Sequence, residues 1–177
     1  MKLNLGCGQN RLEGYVNVDR EAAVAPDVVM DLEKLPWPFE DNSVEEVVAM
    51  HVLEHVGAEA PAFIGIMKEL YRVCRPGARV RIAVPHPRHD NFFDDPTHVR
   101  AITPMTLSLF SKAANLKWKA QGGSNSPLAL YAGVDFELLE WSETVDERYK
   151  DHPNLADMLL HWNNVATEYR MLLRVVK

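Results

Sequence analysis

A chain of 177 residues has room for about one domain, and at that size folding buries roughly 70% of the unfolded surface, enough for a core without staples. Hydrophobic residues at 47% and charged residues at 25% are ordinary for a globular protein. The formal net charge of −6 and pI near 5.6 argue against a chain devoted to nucleic acid, without excluding a local basic groove.

Short apolar runs ending in polar or glycine residues recur along the first half. Lys2–Leu5, Tyr15–Val18, Val28–Met30, Glu46–Met50 and Val80–Val84 each fit a buried strand. Between the last two, Phe63, Ile66, Met67, Leu70 and Cys74 fall at helical spacing. Pro61 suits a first turn, and Arg75-Pro76-Gly77 is a stop. Strand, helix, strand in that order predicts a parallel crossover. After Pro85 the pattern gives way to a polar and aromatic loop, HPRHDNFFDDPTHVR. Thr103-Pro104 then opens a predicted helix with Leu107, Phe110 and Ala114 on one face, and Gly122–Pro127 is loop. Phe136–Val145 and Tyr169–Val176 read as two late strands around a short helix from about Asn154 to Asn163, forming an antiparallel ribbon at the sheet edge. The prediction is an α/β domain with a mixed sheet. Trp37, Trp118, Trp141 and Trp162 are expected in the core or in helix packing, and the pair Phe92-Phe93 is expected to bury against the sheet.

Open α/β sheets bind ligands at the carboxyl ends of their strands. Gly6-Cys7-Gly8, Asp19, Asp31, His51 and the loop after Pro85 all sit at such ends. One coincidence of this kind means little, because glycine and aspartate often mark only a turn; five at successive strands point to a site. Asp19, last in its strand, has the position to accept hydrogen bonds from both hydroxyls of a ribose.

The order of these motifs resembles a family. Leu3-Asn4-Leu5-Gly6-Cys7-Gly8, Asn17-Val18-Asp19, Asp31-Leu32 with Leu35-Pro36 and Phe39–Ser43, His51–Val56, and Glu69–Gly77 are similar to the class I S-adenosylmethionine-dependent methyltransferases, and in particular to their small type 11-like domains. The likeness covers roughly Leu3 to Pro85, with a fainter echo through Asp95–His98 to Pro104. It implies a Rossmann-like fold, a mostly parallel sheet with an antiparallel edge strand, and S-adenosylmethionine as cofactor. Residue by residue, it implies that Asn4, Gly6, Cys7 and Gly8 approach the methionine and ribose portions, and that Asp19 holds the ribose hydroxyls. Asp31 and Leu32 would lie by the adenine, and His51 near the sulfonium. Two departures stand out: Asn10 occupies the place of the usual third glycine, and Asn4 that of an acidic residue. Only ten residues, Gln9 to Val18, separate Gly8 from Asp19, whereas a crossover with its helix takes at least about 10–12. The helix after the first strand is therefore expected to be shortened or absent, a small loss for a cofactor without a phosphate.

The resemblance further implies methyl transfer (EC 2.1.1.-) to an acceptor, with a small molecule expected and nucleic acid and membrane disfavoured. On this reading residues 1–177 form one methyltransferase domain, with a cofactor half of about 1–85 and an acceptor side of about 86–177. Histidines that could take a proton from the acceptor are His51, placed first by position, then His86, His89 and His98. Arg88, Lys112, Lys117 and Lys119 could make a small basic rim. His51-x-x-Glu54-His55 also matches the H-x-x-E-H signature of inverted zinc peptidases, which requires a helix through both histidines. In the loop after Pro85, three histidines and three aspartates leave plain loop structure, acceptor contact and metal ligation open; no metal is assigned. A further alternative is a non-catalytic cofactor-binding module that supports another methyltransferase. Two cysteines, Cys7 and Cys74, and no apolar run near the roughly 18 residues of a membrane span fit a cytoplasmic protein with reduced thiols.

Overall fold

The computed structural model describes all residues from Met1 to Lys177. Seven strands form one sheet: β1 (Lys2–Leu5), β2 (Val16–Asp19), β3 (Val28–Val29), β4 (Val44–Met50), β5 (Cys74–Pro85), β6 (Phe136–Val145) and β7 (Ala166–Val175). Their order across the sheet is β3-β2-β1-β4-β5-β7-β6. The first five are mutually parallel, and β7 runs antiparallel to both β5 and β6. The ribbon predicted at the edge is present, with β7 as its inner strand. Parallel strands need cover on both faces, which fits the fully or mostly buried apolar residues at the inner ends of β1, β4 and β5: Leu3 and Leu5, Val47–Ala49, and Ile82–Val84.

Helix α1 (Ala60–Val73) supplies part of that cover, burying Phe63, Ile66, Met67, Leu70 and Val73. It stops one residue before the expected helical position of Cys74. That residue is extended, closes the helix through its N–H to the Leu70 carbonyl, and begins β5 opposite Val44. Pro76 disfavours helical backbone in the residue before it and leaves the chain no way to continue the turn.

The second half departs further from expectation. The helix predicted from Thr103 through Ala114 is two helices, α3 (Pro104–Ser108) and α4 (Lys112–Ala120). Thr103 caps the first through a capping box with Thr106, and Ser111 caps the second by accepting from the Ala114 N–H. The break lets Phe110 turn fully inward. Short helices α2 (Asp90–Phe93) and α5 (Leu128–Ala132) form in segments that carry no helical periodicity, and α6 (Leu155–His161) lies within its expected span. Of the four tryptophans expected in the core or in helix packing, Trp37 is buried, its indole N–H donating to the Leu32 carbonyl, and Trp118 is half-buried on α4. Trp141 and Trp162 are more than half exposed, the first on the outermost strand and the second at the end of α6. Phe93 is likewise exposed rather than packed on the sheet, while Phe92 stacks on His98. No helix is long and apolar enough to cross a membrane.

Candidate functional site

A cavity of about 340 Å³ opens at the carboxyl ends of β1, β2 and β4. Gly6, Asp19, Asp31, Leu32 and His51 line it, five of the residues expected from the sequence. Val18, Met30, Val52 and Val56 give it an apolar wall, and Arg20, Glu33, His55 and Thr97 complete it. These last eight were not foreseen; Val18 and Met30 could have been, as the apolar residues flanking the two strand-end aspartates.

Each side chain is placed by its strand tip. Gly6 has φ +60°, and a Cβ there would stand 2.5 Å from a Val52 methyl, so only glycine keeps this edge open. Asp19 ends β2, where one carboxylate oxygen accepts from the Gly8 N–H at 2.8 Å and the other from the Glu21 N–H at 2.9 Å. A carboxylate has about four acceptor sites, so capacity remains on both oxygens for a diol. Asp31 is held by the Glu33 N–H at 3.0 Å. A slot with an apolar wall, one glycine edge and two anchored carboxylates fits a nucleoside bearing a vicinal diol and an exocyclic amine.

Asn4 and Cys7 do not line this cavity. The amide of Asn4 is spent on the Asn10 carbonyl and the Asn17 side chain, both at 2.9 Å. Cys7 is buried, and burial raises its thiol pKa. Gly8 meets the site only through its N–H on Asp19. Gln9 to Gly14 contain no helix, so the crossover helix is absent, as its spacing required.

A second cavity of about 470 Å³ adjoins the first and shares His51 and His55 with it. Its remaining lining is Glu54, Pro85, Asn91, Asp95, His98, Thr167 and Glu168. His51 stands at the junction with φ +55°, an unusual conformation for a histidine and a sign of a position fixed by its surroundings. Its Nε2 lies 3.0 Å from Glu168 and its Nδ1 3.4 Å from Glu54. The Glu54 carboxyl raises the His51 pKa, burial opposes this, and Glu168 adds to the rise. Burial alone would lift Glu168, but hydrogen bonds from Arg170 and Thr144 and the nearby His51 hold it below its ordinary value.

The remaining histidines divide. His98 lines the second cavity; its Nδ1 lies 2.7 Å from the Phe92 carbonyl. His55 lies beside it, ring centroids 4.6 Å apart, with Nδ1 2.9 Å from the Thr97 hydroxyl. One donor atom each from Glu54, His55 and His98 lies within 4.8 Å of the others. His86 and His89, expected as candidates alongside His51, are buried outside both cavities. His86 contacts the Tyr169 hydroxyl at 3.1 Å, and burial lowers its pKa. His89 caps α2 by accepting from the Asn91 N–H. The helix needed for a peptidase-type H-x-x-E-H pair is missing: His51 is left-handed, and only a single 3₁₀ turn, Leu53–His55, follows. The basic rim does not form around the site either. Arg88 is tied to the carbonyls of Leu159 and Leu160, and no lysine of α4 lines either cavity.

Comparison with known proteins agrees with this geometry. Residues 7–82 match the family described as "Methyltransferase domain". Among solved structures, a SAM-dependent methyltransferase from Archaeoglobus fulgidus superposes with a TM-score of 0.66 at 18% identity, covering 98% of this chain and 85% of that one. An S-adenosylmethionine-dependent methyltransferase from Mesorhizobium loti gives 0.54 at 16%, covering 98% and 90%. The [4+2]-cyclase SpnF gives 0.54 at 17%, covering 99% and 75%. No curated protein matches the chain.

Proposed function

From the premise that the chain belongs by domain and fold to the class I S-adenosylmethionine-dependent methyltransferases, with S-adenosylmethionine as the cofactor that this implies, we propose that it transfers the methyl group to a small polar acceptor held in the second cavity. The observation that carries this reading is the contact of the two cavities at His51 and His55. A donor in the first cleft and an acceptor in the second would meet there. The sulfonium supplies an already activated methyl group, so the protein's work is in-line positioning and exclusion of water.

In this reading Asp19 holds the ribose hydroxyls, while Asp31 and Leu32 flank the adenine. His51, with a carboxyl group near each ring nitrogen, accepts the proton that a hydroxyl or amine acceptor must lose. His98 lines the acceptor's chamber and is second to it as a proton acceptor. The division into a cofactor half of about 1–85 and an acceptor side beyond it follows from the same assignment. A small polar acceptor is favoured by the polar lining of the second cavity, in which there is no lysine or arginine; two free, buried cysteines fit a cytoplasmic setting.

The test is turnover of S-adenosylmethionine against a panel of small alcohols, amines and carboxylates, read as release of S-adenosylhomocysteine. His51→Asn tolerates the left-handed backbone and should lower kcat by about 10²–10⁴-fold. Failure to bind S-adenosylhomocysteine at millimolar concentration would remove the cofactor assignment. Binding without turnover on any acceptor would favour a non-catalytic module or another reaction on the same scaffold, for which the cyclase neighbour supplies a precedent of fold.

A further inference from the structure

We propose that Glu54, His55 and His98 form a site for a first-row transition-metal dication, with its open coordination positions toward the second cavity. The first ground is the state of Glu54. This carboxyl is 1% exposed, and neither of its oxygens has a hydrogen-bond partner. Buried carboxyl groups left without partners are costly, and proteins retain them where an ion or a ligand completes them. His51 Nδ1 approaches Oε1 at 3.4 Å, and Oε2 has no hydrogen-bond partner.

The second ground is the arrangement of the two histidines. A backbone carbonyl only accepts, so His98 Nδ1 carries the proton donated to Phe92, and in the neutral ring Nε2 holds the lone pair. The Thr97 hydroxyl donates to Asp95 at 2.6 Å and must therefore accept from His55 Nδ1, leaving Nε2 of that ring free as well. A histidine whose other nitrogen is fixed by a carbonyl or by a carboxylate relay is the usual outer arrangement of a metal ligand. The pieces are clamped together: the Glu54 carbonyl accepts from the N–H groups of Val99 and Arg100, which brings the His98 segment against the 3₁₀ turn. Donor atoms within 4.8 Å need to close by only about an ångström to surround an ion at roughly 2.0–2.2 Å.

Two imidazoles and one carboxylate favour zinc or cobalt over magnesium or calcium, which prefer oxygen alone, with manganese between them. Three protein ligands also leave a coordination position for an outside oxygen. The cation site stands on its own geometry. Its use, binding a hydroxyl or carboxylate oxygen of the acceptor next to His51, rests on the methyl-transfer reading.

The experiment titrates chelator-stripped protein with Zn²⁺, Mn²⁺ and Co²⁺ by calorimetry, follows Co²⁺ by its visible absorption, and uses Mg²⁺ and Ca²⁺ as comparison ions. One equivalent of a transition ion should bind, with a Co²⁺ spectrum of mixed nitrogen and oxygen ligation. Glu54→Gln and His98→Gln should each weaken binding at least 100-fold. Affinity for S-adenosylhomocysteine should stay within about threefold in both variants, which also reports that they are folded. Overturning results are no stoichiometric transition ion in protein that binds S-adenosylhomocysteine, undiminished ion binding in the variants, or a response to Mg²⁺ and Ca²⁺ alone. Should the buried Glu54 variant fail to fold, the loop variant His98→Gln and the wild-type Co²⁺ spectrum decide the question.

Discussion

Substituting Asp19 by asparagine probes the cofactor assignment most directly, because shape is kept while charge and one acceptor are lost. In the native site the two oxygens already accept from Gly8 at 2.8 Å and Glu21 at 2.9 Å. An amide in their place turns its NH₂ group toward one of these donors. That conflict exists with or without cofactor, so it lowers stability and largely cancels from affinity. The affinity loss comes from the ribose. A hydrogen bond to a charged group is worth about 1.5–3 kcal/mol. Losing one such bond and weakening a second predicts a deficit of about 3 kcal/mol, on the order of 100-fold in Kd. Calorimetry with S-adenosylhomocysteine measures this, with thermal unfolding as the control for folding. The 2′-deoxy analogue sharpens the test: it should bind wild type roughly tenfold more weakly than the parent, equivalent to about 1.4 kcal/mol, and show much less of that penalty on the variant. Wild-type affinity in folded Asp19→Asn, or an equal deoxy penalty on both proteins, would refute the assignment.

Three further outcomes are expected. Gly6→Ala puts a side chain on a left-handed residue, at about 1–2 kcal/mol, and drives a methyl into Val52. S-adenosylhomocysteine affinity should fall at least tenfold, and Gly6→Ala with Val52→Ala should recover part of it; full recovery by Val52→Ala would show that backbone strain is unimportant. Glu46 joins Lys2 and Arg81 across β1, β4 and β5, and the hydrogen bond from Arg81 leads in lowering its pKa to about 2. Because the folded value lies below the unfolded one, its contribution is complete above about pH 4.5 and lost as pH falls toward 2. Glu46→Gln should therefore flatten the stability profile between those limits and cost under about 1 kcal/mol at pH 7, as read by urea unfolding across pH; an unchanged acid slope would contradict this. Cys74 is buried, and burial pushes its thiol up to about 12. A thiol reagent should label it only at the rate of unfolding, and rapid labelling of folded protein would place it wrongly.

The sheet was legible because its inner strands bury most of their length, so β1, β4 and β5 each show a short, mainly apolar stretch between breakers, with polar residues such as Asn4, Glu46 and Arg81 few enough not to mask it. The first cavity was legible for a related reason: parallel strands put their carboxyl ends together, and Gly6, Asp19, Asp31 and His51, at or just past four of them, line it. Asn4 and Cys7 lay in the same motif, but their side chains do not line the cavity. Motif position does not say which way a side chain turns, and these two turn into the packing behind the loop. His86 and His89 likewise lie outside both cavities, and a loop dense in histidine gives no sign of which rings are buried against Tyr169 or used to cap a helix. The grouping of His55 and His98 was beyond the sequence because hydrogen bonds from Val99 and Arg100 to the Glu54 carbonyl create it across more than forty positions. The break at Leu109–Ser111 was hidden by a helical apolar spacing that continued across it, although Ser111 three residues before Ala114 was a capping signal.

The missing crossover helix raises the question of what holds the first loop in its place, and the answer explains the role of Asn4. A glycine-bearing loop without a helix behind it would be loose, and Asp19 would then bind a ribose only after ordering it. Side chains take over the helix's work here. Asn4 ties β1 to the Asn10 carbonyl and to Asn17, and Asn17 in turn accepts from the Leu12 N–H. Asp27 closes the network from the residue just before β3: hydrogen bonds from Asn17 and Arg11 lower its pKa to about 2. Asparagine suits the position of Asn4 because it must donate twice, to a carbonyl and to an amide oxygen, which a carboxylate cannot do. The loop is thus fixed by a polar network under it rather than by a dipole after it, and the Gly8 N–H is presented to Asp19 before any cofactor arrives. Preorganisation of this kind spares the binding step the cost of ordering. A phosphate-bearing ligand would still lack the helix end that usually receives it, so the truncation itself favours a nucleoside with a sulfonium over a dinucleotide.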